Sequence, residues 1–180
     1  SKKVVGYNDK LFKDILKLRR QVFGGEKETT VEDARDLTGI HTGFFINDII
    51  VGCGSIYDKG DGEFEICNVA VKEHYRRFGM GTEIIELLKN EAKKEGAKVF
   101  VAKLPLEVLP FFEKNNMPKS GVPVTENGKK YIKCIENLVF SGAEWVQFGG
   151  EYHAVIVRED FEVSKKAPTE LFVSGLGFCD

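Results

Sequence analysis

The chain has 180 residues, 42% hydrophobic and 30% charged, with a formal net charge of −2, which suits one main domain with a proper core. Charges of both signs are interspersed without a basic excess, which argues against a nucleic-acid binder; no apolar run approaches the roughly 20 residues that span a bilayer, and no secretory leader is recognisable. Cys53, Cys67, Cys134 and Cys179 form no Cys-x-x-Cys and have no paired histidine spacing, so a zinc site and a disulfide framework are both disfavoured, and the reading is of reduced thiols in a cytoplasmic protein.

Residues 4–7 read as a short strand. Asn8-Asp9 offers an N-cap, and Leu11, Phe12, Ile15, Leu16, Leu18, Val22 and Phe23 recur at helical spacing until Gly24-Gly25. The polar segment 26–38 has room for a short helix over 31–37. Strands follow at 44–46 and 49–57, joined by the hairpin pair Asn47-Asp48. After a turn at 58–62 comes a strand over 63–71. The next helix places Ile84, Ile85, Leu88 and Ala92 on one face, Lys and Glu on the other, and stops at Gly96.

A strand over 98–104 precedes Pro105 and Pro110, which bracket the start of a helix near Glu107 or Leu109, because proline is tolerated only in a first turn. Strands at 121–124 and 131–137 flank the turn Asn127-Gly128. Beyond Gly142, residues 145–148, 152–158 and 171–174 are strand-like. About 40 residues do not easily form a separate core. Residues 141–180 are therefore expected as a β-rich extension of the domain 1–140, adding strands to its sheet or meeting a second copy in a homodimer. The order of elements predicts a mixed α/β (α+β) fold, a central sheet flanked by helices.

The densest chemistry lies between the strand ending Val69-Ala70-Val71 and the following helix. The connecting loop is Arg76-Arg77-Phe78-Gly79-Met80-Gly81-Thr82. A helix start presents backbone N–H groups without intrahelical partners, and its dipole favours negative charge. Two glycines let a bulky anion approach the main chain, and arginines add charge at the rim. The segment is thus a candidate diphosphate cradle. A dinucleotide fold would want a third glycine where Ile84 stands, and the Gly-Lys-Ser/Thr of a nucleotide P-loop is absent.

Arg76-x-x-Gly79-x-Gly81, with the strand before it and the helix after it, resembles the acyl-coenzyme A signature of the Gcn5-related N-acetyltransferase (GNAT) family. Leu109-Pro110-Phe111-Phe112-Glu113-Lys114 is similar to that family's late helix. Leu18-Arg19-x-x-Val22-Phe23-x-x-Glu26 resembles the first helix of a bacterial small-molecule subgroup. The resemblance covers residues 4–138. It implies a mostly antiparallel sheet whose two central strands splay apart, acetyl-CoA as acyl donor, no metal, and a small-molecule primary amine as acceptor. It also implies that residues 69–71 pair through their backbone with the pantetheine arm.

A lysine-like amine, with pKa about 10.4, costs about 4–5 kcal/mol to deprotonate at pH 7, so a carboxylate in reach is useful. Glu65, where histone-type family members hold a general base, is the candidate; Glu63 lies two residues earlier on the same face. Phe112 stands where many members have a tyrosine that protonates the leaving thiolate. Three alternatives follow. The thiolate leaves unaided, as a pKa near 8.5 allows; Tyr131, Tyr75 or Tyr152 substitutes; or the domain binds acyl-CoA as a sensor or interaction module with little turnover. His41, His74 and His153 are expected to be surface or strand residues.

Overall fold

The computed structural model describes residues 1–24, 32–138, 140–148, 151–158 and 177–179. The chain divides into two units, Ser1–Glu136 and Asn137–Asp180. The strands of the seven-stranded sheet are β1 (Lys2–Val5), β2 (Ile40–Ile46), β3 (Ile49–Gly60), β4 (Glu63–Val71), β5 (Val99–Pro105), β6 (Lys119–Glu126) and β7 (Lys129–Asn137), in spatial order β1-β2-β3-β4-β5-β7-β6. Three helices accompany them: α1 (Phe12–Phe23), α2 (Met80–Lys94) and α3 (Leu109–Lys114). The β1/β2, β2/β3, β3/β4 and β6/β7 pairs are antiparallel and β4/β5 is parallel. This is the mixed, mostly antiparallel arrangement expected.

Turn chemistry sets the register of the hairpins. Asn47 and Asp48 both have positive φ (47° and 59°), as do Asn127 and Gly128 (49° and 76°). Such pairs match the twist of the strands they join. Phe12, Ile15 and Leu18 of α1 pack with Val5, Phe45, Ile50, Cys53 and Ala70. Full burial of such a side chain stabilises by about 1.5–3 kcal/mol. The other face of β3 is nearly bare: a Cβ on Gly54 would come within 2.6 Å of Ile84 Cγ2. That bareness lets α2 lie close, burying Ile84, Ile85, Leu88 and Ala92. Its end is a left-handed cap in which Gly96 N–H donates to Lys93 O and Ala97 N–H to Ala92 O (both 3.1 Å).

Some boundaries differ from expectation. The Asp9 carboxylate accepts from Leu11 N–H (2.9 Å), so the helix proper starts at Phe12. Gly24 ends it, and Gly25 lies outside the described residues. Residues 34–38 form turns where a short helix was expected; Val31 lies outside the described residues. Asp33 captures Arg35 N–H (2.9 Å) and so competes with helical pairing.

In the second unit, β8 (Phe140–Phe148), β9 (Glu151–Arg158) and β10 (Gly177–Cys179) pair antiparallel in the order β10-β9-β8. Among the described residues they make a three-stranded sheet. The expected strand at 171–174 lies outside the described residues.

Candidate active site

Two neighbouring features build the site. The first is a gap in the sheet. Strands β4 and β5 pair at Glu63, Phe64 and Glu65 against Val99, Phe100 and Val101, and among the described residues the ladder goes no further. The β5-facing edge of residues 66–71 is thereby left available. The second is the start of α2. Gly79, the N-cap, has φ +78° and carries no side-chain cap; the first intrahelical bond runs from Glu83 N–H to Gly79 O (3.1 Å). The N–H groups of Met80, Gly81 and Thr82 therefore lack intrahelical acceptors.

A cleft of about 370 Å³ joins the two features. Val69 and Val71 line one side, Arg76, Arg77, Gly79, Met80, Gly81 and Thr82 another, and Tyr75, Phe111 and Lys114 complete the wall. The structure thus brings together eight of the ten residues read as a cofactor site. Ala70 is 3% exposed, belongs to the α1 core and does not line the cleft. Phe78 is 83% exposed and projects to solvent. Arg76 folds back, its Nε donating to Val71 O (2.8 Å) and tying the loop to the end of β4. Gly81 has room for no side chain: a Cβ would lie 2.8 Å from Phe111 Cζ.

Glu65 and Glu63 part company. The Oε2 of Glu65 accepts from Arg35 Nη1 (2.6 Å), and Arg35 is also forked by Asp33 and lies over the Tyr57 ring at 4.3 Å. The hydrogen bond to Asp33, with help from Glu65, raises the guanidinium pKa further, and the same bond lowers that of Asp33. Glu63 faces Lys59 at 3.3 Å in a surface pair. Cys67 is a half-buried free thiol whose pKa burial raises to about 12, which leaves it protonated and a poor nucleophile.

Behind Glu65 lies a buried polar cluster that the sequence reading missed. Arg19 forks Asp36 through Nη1 (2.8 Å) and Nη2 (3.2 Å), and Nη2 also donates to Ser55 Oγ (2.7 Å). Tyr57 donates its hydroxyl to Asp36 Oδ1 (2.7 Å) and accepts from Asn68 Nδ2 (3.0 Å). Burial alone would raise the Asp36 pKa, but bonds from Arg19 and Tyr57 outweigh it and hold the carboxyl below its usual range. His41, expected at the surface or in a strand, is a strand residue but fully buried. Its Nε2 meets the Asp36 carbonyl (2.8 Å) and its Nδ1 meets Ser55 Oγ (2.7 Å). A carbonyl only accepts, so Nε2 carries the proton and Nδ1 accepts from Ser55. Burial lowers its pKa. The available signal was Arg19 itself, an arginine four residues after Ile15 on the apolar face of α1.

At the late helix, Phe112 is 7% exposed and meets Phe111 edge-on at 5.5 Å, so neither ring offers a proton. Of the three tyrosines weighed as substitutes, Tyr75 lines the cleft, Tyr131 lies beneath Lys103, and the side chain of Tyr152 falls outside the described residues. Among the described residues no group of three or more His, Cys, Asp or Glu is placed to hold a metal ion, and no helix is long and apolar enough to cross a membrane.

A splayed mixed sheet with an uncapped helix start beside the gap is the framework of an acyl-CoA-dependent transferase. Residues 10–116 match the acetyltransferase (GNAT) family, and the chain belongs to it. Among solved structures it is similar to Escherichia coli ElaA, with TM-score 0.68, 18% identity, and coverage of 76% of this chain and 99% of that one. An acyl-CoA N-acyltransferase from Pseudomonas aeruginosa gives 0.66, 16%, 75% and 97% for the same measures. A GNAT family acetyltransferase from Elizabethkingia anophelis, whose crystal holds acetyl-CoA, gives 0.61, 19%, 77% and 97%. At these identities the likeness is one of fold.

Proposed function

We propose that this protein is an N-acetyltransferase that moves an acetyl group from acetyl-CoA to the primary amine of a small molecule, by direct attack in a ternary complex. The observation that carries the reading is the uncapped start of α2 opening into the cleft beside the unpaired edge of β4. The residues fit the donor. Free N–H groups at 80–82, with Arg77 beside them, suit a diphosphate. The missing Cβ of Gly81 leaves the approach clear, and the edge at 69–71 suits an amide-bearing arm that pairs as an added strand.

Acetyl-CoA supplies an activated thioester. The chain's own residues do the rest. A backbone N–H near Val69 or Ala70 faces the charge that develops on the carbonyl oxygen; donors of this kind are worth about 2.7–4 kcal/mol when well aimed. Glu65, its position fixed by Arg35, takes the amine proton directly or through water. The thiolate leaves unaided or takes its proton from Tyr75, which lines the cleft.

A thiol-release assay over an amine panel, with mass measurement of products, tests the reading. Turnover with one amine class and 1:1 binding of coenzyme A are expected. Glu65→Gln is expected to lower turnover and shift its alkaline pH dependence while coenzyme A affinity stays unchanged; full activity would remove Glu65 from the mechanism. A second reading, an acyl-CoA sensor with little turnover, is favoured by the absence of a hydroxyl at Phe112. It predicts tight coenzyme A binding with no product across the panel.

A further inference from the structure

The end of β4 that lines the cleft carries an irregularity. Cys53 pairs with Ala70 and Ser55 with Cys67, so two steps on β3 are met by three on β4. The extra residue falls within the stretch containing Asn68, whose φ is +55°. Left-handed backbone is costly for most side chains, and asparagine is among the few that tolerate it. The consequence is a reversal of faces. Glu65 and Cys67 pair with Tyr57 and Ser55 on the α1 side. Strict alternation would send residue 69 to that side as well. Instead Ala70 enters the α1 core, while Val69 turns to the α2 side, its Cγ2 3.5 Å from where a Gly54 Cβ would be.

The side chain of Asn68 is tied to a rigid chain of hydrogen bonds. A carboxylate only accepts, so the Tyr57 hydroxyl must donate to Asp36 and is left to accept from the Asn68 amide. Asp36 is in turn forked by Arg19, and both side chains are at most 1% exposed. Tyr57 has little room to move: a Cβ on Gly39 would come within 2.6 Å of its ring. The chain Arg19, Asp36, Tyr57, Asn68 therefore runs from α1 through the buried interior to the backbone bend beside the cleft.

We infer that this chain is a brace that fixes the β4 bulge, and that Asn68 is the positioning residue that turns the edge at 69–71 toward the donor's pantetheine arm. The inference rests on the acyl-CoA reading above. It assigns the arm, rather than the diphosphate, to the brace, because the start of α2 has its own framework in Gly79 and the Arg76–Val71 tie.

Two substitutions separate the roles. Asn68→Gly permits positive φ but removes the tether; Tyr57→Phe keeps the ring and removes the relay. Titration calorimetry compares coenzyme A with adenosine 5′-diphosphate, which has the diphosphate but no arm. The expected result is about tenfold weaker coenzyme A binding in both variants, with adenosine 5′-diphosphate affinity unchanged. Variants that bind coenzyme A as the parent does, or that lose both ligands equally, overturn the brace while the transferase reading stands. A parent that binds no coenzyme A overturns both.

Discussion

Asp36→Asn is the sharpest test of the buried cluster. The Asp36 carboxylate accepts four bonds: Oδ2 from Arg19 Nη1 (2.8 Å) and Asp33 N–H (2.7 Å), Oδ1 from Arg19 Nη2 (3.2 Å) and the Tyr57 hydroxyl (2.7 Å). An asparagine has one oxygen. At the Oδ2 position the NH₂ would face two obligate donors, Arg19 Nη1 and the Asp33 N–H; at Oδ1 it would face Arg19 Nη2 and force the Tyr57 hydroxyl to turn from donor to acceptor. Either way the Arg19 charge loses its counter-ion where water does not reach. Removing one partner of a buried pair costs about 3–5 kcal/mol. At about 2–4 °C per kcal/mol for a chain of this size, about 4 kcal/mol lowers the melting temperature by about 8–16 °C. Thermal unfolding followed by circular dichroism measures the shift, and urea unfolding gives the free energy. The double variant Arg19→Met, Asp36→Leu removes both charges and is expected to recover much of the loss. The sign with pH also follows. The folded-state pKa of Asp36 is lowered, so its contribution is complete above about pH 3.9 and is lost as pH falls through the folded value. An Asp36→Asn protein within about 1 kcal/mol of the parent would refute the account.

Other consequences are open to direct measurement. His41 has a lowered folded pKa, so stability should decline as pH falls below about 6.5, where the unfolded chain takes a proton that the folded one resists; His41→Gln should flatten that slope in urea midpoints between about pH 7 and 5.5. Gly81→Ala would place a Cβ 2.8 Å from Phe111 Cζ, and about tenfold or greater loss of coenzyme A affinity by calorimetry is expected; Gly81→Glu should abolish binding through bulk and repulsion. Lys89, 8% exposed, donates to Glu136 (2.5 Å) and to Asn115 O (2.8 Å), so Glu136→Leu should cost about 1–3 kcal/mol in thermal melts, with Lys89→Met, Glu136→Leu closer to the parent.

The parts of this fold that could be read from the residues are those governed by local rules. Asn47-Asp48 and Asn127-Gly128 announce hairpins because their backbone geometry is unusual and few residues accept it. The period of Ile84, Ile85, Leu88 and Ala92 marks α2 because burial requires one face. The backbone geometry of the proposed diphosphate cradle was legible for the same reason: it is a main-chain device, and glycines at 79 and 81 after a strand record what the backbone must do. The segment 34–38 misled, because a side-chain capture by Asp33 looks, in sequence, like the polar start of a helix.

What could not be read is long-range and made of side chains. Asp36, His41, Ser55, Tyr57 and Asn68 come from a turn and three strands, and their partnership with Arg19 exists only once the sheet has formed. The same physics explains why Glu65 was visible as a carboxylate but its tie to Arg35 was not. The donor half of the site asks for exposed amides and an absence of bulk, which sequence records as glycine. The proposed acceptor half asks for particular charges set against one another across the fold. Arg35 is in direct contact with both Asp33 and Glu65, so in the proposed reaction a cationic amine would meet a carboxylate already engaged by a guanidinium. In the proposed reaction the amine must share or displace that contact, so Arg35→Ala is expected to change KM across an amine panel while coenzyme A affinity stays as in the parent, and an unchanged acceptor profile would remove Arg35 from acceptor choice.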